Sequence, residues 1–274
     1  MIPKYLYHYT SIDTVKKILQ SRKIRFSRLD LLNDPYEGKF IIPEISLYQK
    51  EFSKLVYCSC WNADEAENVN LWHIYTGMNG VRIKIKSSMF AKEISLTEQK
   101  SGFVPLSLIS SVDSDTVTAN IELISSKISK TVEAKIDKVY GPIKISYVSN
   151  FGNTYDSVIG KSIANRGTES EFEMYDIDFK ELGIKKVNHW EYEHEWRYKI
   201  LPFIEVHGSK NVLLSAINID APNYIDIPFI EAIEEILLAP QVSDEDHNGL
   251  MQFVKSLNID VPIRCSDIQY RRKK

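Results

Sequence analysis

The chain has 274 residues, 43% hydrophobic and 26% charged, an ordinary globular composition with enough apolar side chains for a substantial core. Its 34 basic and 37 acidic residues leave a net charge of −3, so no strong overall field for nucleic acid follows, and Arg271-Arg272-Lys273-Lys274 reads as a solvated basic tail. No apolar run approaches the roughly 18 residues of a membrane helix. Met1-Ile2-Pro3-Lys4-Tyr5 lacks the apolar segment of a secretory signal, and three cysteines, two of them separated by one residue, make no disulfide framework. The expectation is a reduced, cytoplasmic protein without a membrane partner.

Tyr5-Leu6-Tyr7-His8-Tyr9-Thr10 is β-rich, with three tyrosines on one face and Leu6, His8 and Thr10 on the other. Thr10 or Ser11 caps a helix whose buried stripe is Ile12, Val15, Ile18 and Leu19. Lys23 to Ser27 reads as a short strand, and Asn33-Asp34-Pro35 as a turn closed by Glu37-Gly38, a loop that either faces a ligand or only bends the chain. Leu55 to Trp61 is a further strand. An acidic loop runs from Asn62 to Asn70, and Leu71 to Tyr75 forms one or two helical turns ended at Gly77. Gly80 to Lys86 alternates cleanly, with Val81, Ile83 and Ile85 inward.

Between Thr116 and Val139 the apolar positions Val117, Ile121, Ile124, Ile128, Val132, Ile136 and Val139 step by three or four, which predicts a long amphipathic helix stopped by Gly141-Pro142. Ile143 to Tyr147 follows as a strand, and two helical stretches are expected around Ile159 and Phe179. Ile236 to Ala239 is an apolar strand. Ser243 caps a last helix that carries Asp244, Glu245 and Asp246 at its positive end, and Ile263 to Cys265 is a final strand. With no repeat and no linker, the expected architecture is one α+β domain over 1–274: a mixed, largely antiparallel split sheet flanked by helices, with a helical elaboration around 90–140.

Trp190 to Ile200 alternates almost without fault. Tyr192, His194, Trp196, Tyr198 and Ile200 fall on one face, and Glu191, Glu193, Glu195, Arg197 and Lys199 on the other. As a strand it would bury the aromatic face and line up carboxylates about 6.6 Å apart. In a cleft, Glu193, Glu195 and Arg197 would stabilise a developing positive charge or orient a nucleophile. On a surface they would only keep the strand solvated, and the local pattern leaves both readings open.

Several separated motifs form a set: Leu6-Tyr7-His8-Tyr9-Thr10-Ser11, Ile24-Arg25-Phe26-Ser27, Asn33-Asp34-Pro35-Tyr36-Glu37-Gly38, Cys58-Ser59-Cys60-Trp61, Leu71-Trp72-His73-Ile74-Tyr75 with Gly80-Val81, and Trp190 to Arg197. Their order and spacing resemble the bacterial DUF2971 family, whose name supplies no activity. A His-Tyr-Thr strand entering a helix, an aromatic segment ahead of a Gly-Val strand and a late glutamate also resemble ADP-ribosyltransferase-like folds, whose members cleave the nicotinamide–ribose bond of NAD. That resemblance implies NAD or a related nucleotide as cofactor. His8, with Tyr9 and Thr10 beside it, would hold the adenosine ribose, Arg25 would pair with a phosphate, and Trp72 and Tyr75 would line or stack. Glu195 would be the catalytic carboxylate, with Glu193 and Arg197 next to it.

The expected activity is therefore that of an ADP-ribosyltransferase or NAD glycohydrolase whose acceptor is a nucleic acid, a protein or water. Such chemistry would suit phage defence. The alternative is a non-enzymatic module whose aromatic cleft binds a nucleotide, a nucleic-acid end or a protein segment. A zinc site from His8, Cys58, Cys60 and His73 is formally available, but it lacks the usual Cys-x2-Cys and His-x3-His spacings, so no metal is expected. No Walker loop, Gly-x-Gly-x-x-Gly, Gly-x-Ser-x-Gly or His-Glu-x-x-His motif occurs.

Overall fold

A computed structural model describes residues 1–37, 53, 56–90, 124–128, 132–135, 139–150, 159–164, 172–177, 181–200, 203–206 and 223–269. The N-terminal expectations hold. Strand β1 (Tyr5–Thr10) runs into helix α1 (Ile12–Ser21), and the Ser11 hydroxyl accepts the Thr14 N–H at 3.1 Å as its cap. Strand β2 (Lys23–Arg28) follows, then β3 (Tyr57–Asn62) and α2 (Val69–Thr76), which the Asn68 side chain caps and Gly77, at φ 56°, ends in the left-handed region. Next come β4 (Val81–Lys86), β5 (Ile124–Ile128), β6 (Val132–Lys135), β7 (Val139–Lys144), β8 (Ser146–Val148), β9 (Ile159–Ala164), β10 (Phe172–Ile177) and β11 (Lys185–Val187). The chain continues through β12 (Glu195–Ile200), β13 (Phe203–Val206), β14 (Tyr224–Pro228), β15 (Ile233–Leu238), α3 (Asp244–Ser256) and β16 (Ile263–Cys265).

The long helix over 116–139 is overturned where the chain is described: β5, β6 and β7 replace it. Its apolar positions are all Val and Ile, and stiff β-branched side chains favour an extended backbone whatever their spacing. Residues 91–123 of the expected elaboration lie outside the described residues. Gly141-Pro142 is not a stop but sits inside β7, which among the described residues pairs only with β12 and so tolerates a proline on its other edge. The helix expected around Ile159 is an antiparallel hairpin of β9 and β10, and Phe179 lies outside the described residues.

The main sheet has nine strands in the order β14-β2-β3-β1-β4-β15-β16, with β12 on the other edge of β3 and β7 beyond it. Every pairing is antiparallel except β15 with β16, so the fold is a mixed α+β arrangement with a largely antiparallel open sheet. Helices α1 and α3 pack against each other. Leu6, Val15, Ile18, Phe26, Trp61, Ile83, Tyr198, Ile200 and Leu250 belong to the main apolar cluster. A second cluster, built on Tyr9, Leu71, Trp72, Met78 and Leu237, packs under α2.

Gly80 precedes β4 where backbone and helix meet closely: a Cβ there would lie 2.5 Å from the Thr10 carbonyl oxygen and 2.7 Å from Thr76 Cβ. Gly80→Ala is expected to destabilise the protein by about 1–3 kcal/mol. Urea denaturation would check it, and an unchanged midpoint would mean that α2 shifts freely against the sheet.

One feature of the sheet creates the site. Along a single edge of β3, β1 meets it only at Tyr7–Asn62, while β2 meets it at Ser27–Cys58 and Arg28–Tyr57. Strand β3 is therefore shared by two neighbours that diverge, and the stretch Ser59 to Trp61 faces the fork between them.

Candidate functional site

The fork opens into a cavity of about 350 Å³ whose lining includes His8, Trp61, Tyr75, Lys186, Glu193 and Glu195. That volume lies at the lower end of small-molecule pockets. His8 enters from β1 and places Nδ1 3.0 Å from the Cys60 carbonyl oxygen. A carbonyl only accepts, so the proton sits on Nδ1 and Nε2 keeps its lone pair. Burial pushes the His8 pKa down against the pull of that hydrogen bond, and the ring is neutral at pH 7.

Expected as a single strand, residues 190–200 divide in two. Asn188–Glu193 is a 3-10 helix, His194 takes a left-handed conformation at φ 43°, and only Glu195 onward is β12. The expected division of faces also fails. The charged side chains are the buried ones, with Glu195 4% exposed, Arg197 1% and Lys199 fully buried. Tyr198 and Ile200 on the opposite face are buried too, because the sheet is covered on both sides here.

Charge at this depth survives only when it is paired, and the pairing is dense. The Arg197 guanidinium donates from Nε to Glu195 Oε1 at 2.5 Å and from Nη2 to Oε2 at 2.9 Å. It also grips Glu37 at 2.5 and 2.8 Å, and Nη1 donates to the Gly183 carbonyl at 2.8 Å. Lys186 Nζ lies 2.7 Å from Glu193, 3.1 Å from Glu195 and 3.2 Å from Glu37. Three carboxylates thus share two cations within one hydrogen-bonded cluster. Lys199, two residues along β12, donates to the Leu182 carbonyl.

Burial pushes the Glu195 carboxyl up, but the Arg197 and Lys186 charges and hydrogen bonds outweigh it and hold the group at about 2. Glu37 goes the other way: burial raises it more than Arg197 and Lys186 lower it. Burial would lower Lys186, yet Glu195 and Glu37 keep it well above its ordinary value, so it remains an ammonium.

Tyr75 reaches in from α2 and donates to Glu193 Oε1 at 2.5 Å, while Asn33 Nδ2 donates to the Tyr75 hydroxyl at 3.0 Å. Burial and the Glu193 carboxylate raise the phenol, which stays protonated. Tyr75 is therefore tied to the cluster through its hydroxyl. Arg25 lines the cavity but is 53% exposed, bound through two hydrogen bonds to Asp226 at 2.9 and 3.1 Å and set 3.6 Å over the Tyr224 ring.

His8, Tyr9, Arg25, Tyr75, Glu193 and Glu195 all line the one cavity. Thr10 and Trp72 do not. Thr10 is buried at the end of β1, and the Trp72 ring packs edge-on to Tyr9 while its Nε1 donates to Glu67 at 2.9 Å. Arg197 stands behind the wall, reaching the cavity only through Glu195. Cys58 and Cys60 share a face of β3 with thiols raised by burial, Cys58 to about 11. Among the described residues no group of three or more histidine, cysteine or acidic side chains is placed to hold a metal ion, and no helix is long and apolar enough to cross a membrane.

Sequence reasoning missed Lys186 and treated Asn33 and Glu37 only as members of a loop that either faces a ligand or merely bends the chain. A lone lysine carries no pattern, whereas the Asn-Asp-Pro turn ahead of Glu37 was legible: Asp34 Oδ1 accepts the Tyr36 N–H at 2.9 Å and so turns Glu37 inward. No protein-family model, no curated protein and no solved structure matches this chain.

Proposed function

We propose that this protein is an ADP-ribosyltransferase-like enzyme, akin to the DUF2971 family its motifs resemble, that cleaves the N-glycosidic bond of NAD or a related nucleotide. The observation that supports this reading is the convergence of His8, Tyr75, Glu193 and Glu195 on one cavity at the fork of a split sheet. In the reaction the C1′–N bond breaks and its electron pair leaves with nicotinamide. The oxocarbenium-like ribose is stabilised by carboxylate charge and captured by water or an acceptor. The Glu195 carboxylate is ionised and held rigidly, as electrostatic stabilisation requires. His8 Nε2 accepts a hydrogen bond from a ribose hydroxyl, and the Tyr75 ring stacks on the base while its hydroxyl holds Glu193.

One observation favours a non-enzymatic nucleotide-binding module instead: Glu195 is already matched by both Arg197 and Lys186, which reduces the field left for a cationic transition state. An NMR time course of the protein with NAD separates the readings. Accumulating free nicotinamide is the expected result. Broadened adenine signals without release would identify a binding module, and unchanged spectra would remove NAD from consideration.

A further inference from the structure

Glu193 and Glu195 reach the same ammonium from two different elements, a 3-10 helix and a strand, joined by one residue in a left-handed conformation. A histidine at positive φ is a strained linker and needs surrounding structure to hold it. Three contacts do so. The Tyr147 hydroxyl accepts the Glu195 N–H at 2.9 Å, and His194 Nδ1 lies 2.6 Å from Asp64. The third comes from Asn62, whose Nδ2 donates to the Glu193 carbonyl at 2.7 Å.

Asn62 is singular in position. It is the last residue of β3, pairs with Tyr7 of β1 on one edge and with Glu195 of β12 on the other, and so stands where β1 joins β3 at the border of the fork. Its side chain is 3% exposed and lines the cavity. Oδ1 accepts the Asp64 N–H at 2.7 Å, which turns the chain out of the strand. The amide offers an acceptor for that turn and a donor for the carbonyl at once, which a carboxylate in its place cannot. The Glu193 carbonyl ends a 3-10 helix, and without Nδ2 it would be a buried acceptor losing its bond.

We propose that Asn62 is the positioning residue of the site, fixing the Glu193 backbone so that the Glu193 and Glu195 carboxylates converge on the cavity from either side of the His194 kink. This rests on the reading of those two carboxylates as the working groups, and it concerns their geometry rather than the identity of the substrate. A displacement of about 1 Å at such a group costs roughly 100-fold in rate, so a backbone hydrogen bond can matter as much as a side chain that touches substrate.

The test uses the full-length protein and needs no turnover. In the wild type, a scalar coupling across the hydrogen bond is expected between the Asn62 side-chain nitrogen and the Glu193 carbonyl carbon. A downfield hydroxyl proton is also expected from the short Tyr75–Glu193 bond, assigned by its loss in Tyr75→Phe. Asn62→Asp keeps the acceptor for Asp64 and removes the donor to Glu193; Asn62→Ala removes both. Both variants are expected to lose or shift the Tyr75 proton, and where NAD is cleaved, Asn62→Asp lowers kcat roughly 100-fold with KM little changed. Absence of the coupling in the wild type would overturn the proposal, as would an unshifted Tyr75 proton in a folded variant. If the wild type releases no nicotinamide, the enzymatic reading fails and the two NMR signals still decide the role of Asn62.

Discussion

Replacing Arg197 with methionine is expected to cost about 3–5 kcal/mol of stability, the loss seen when one partner of a buried ionic cluster is removed and the others stay charged. Arg197 is the residue on which two carboxylates depend at once, since its fork holds Glu195 on one side and Glu37 on the other. Methionine fills most of the volume, so the loss is electrostatic rather than a cavity effect. Arg197→Lys restores one charge without the planar fork and should fall between wild type and methionine. The triple change Arg197→Met, Glu37→Gln, Glu195→Gln should recover much of the deficit, because the unpaired carboxylates are then gone. Urea denaturation measures all three, and a methionine variant within 1 kcal/mol of wild type, roughly the value of an exposed pair, would mean that water reaches the cluster.

The same variant has a pH signature. Glu195 lies at about 2 in the folded protein against 4.5 in the absence of the fold. A depressed carboxyl adds stability above its unfolded value, and that stability is lost as the pH falls through the folded value. Without Arg197 much of the depression disappears, so the gap between wild type and Arg197→Met should narrow from pH 4.5 down toward 2. Glu37, raised by burial, works in the opposite sense, adding stability at low pH that fades as the pH rises through its folded value.

How far the sequence disclosed this site depended on whether local physics or tertiary contact set each residue. β1, α1, β4 and α3 are locally determined: Ser11 and Ser243 cap, Val81, Ile83 and Ile85 alternate, and the elements lie where pattern places them. His8 and Glu195 were visible for the same reason, as polar residues set into otherwise consistent strands. The kink at His194 was not, since Trp190 to Ile200 alternates well enough to be one strand. What breaks it is distant, Asn62 on the Glu193 carbonyl and Tyr147 on the Glu195 amide, neither of which announces itself in the local pattern. Lys186 was hidden for a related reason: its role exists only because three glutamates from separate segments meet there. The stretch from Thr116 to Val139 misled through spacing: its seven β-branched residues mimicked a helical stripe, and those that are described lie in β5, β6 and β7.

Glu195→Gln is expected to lower kcat for nicotinamide release by about 100- to 1,000-fold, the size of effect that follows removal of one preorganised electrostatic stabiliser, with KM for NAD little changed. The substitution is nearly isosteric. Its amide oxygen still accepts from Arg197 Nε, and although the amide nitrogen no longer accepts from Arg197 Nη2 and Lys186, Lys186 keeps Glu37 and Glu193 and Arg197 keeps Glu37, so the charges stay balanced and the fold should persist. What disappears is the negative charge that, in the proposed reaction, faces the ribose. Because that charge is present at every pH above about 2, the wild-type rate between pH 5 and 8 should show no inflection from Glu195, and the ratio of wild type to variant should stay constant across that range. Glu193→Gln provides the contrast. Among the described residues Glu193 has one cationic partner, Lys186, and it also takes the Tyr75 hydroxyl, so neutralising it disturbs both the charge and the tyrosine proposed to stack on the base. It is therefore expected to raise KM as well as lower kcat. A Glu195→Gln enzyme that releases nicotinamide at the wild-type rate would assign Glu195 to the scaffold, matched permanently by Arg197 and Lys186, and leave Glu193 as the carboxylate that meets the developing positive charge.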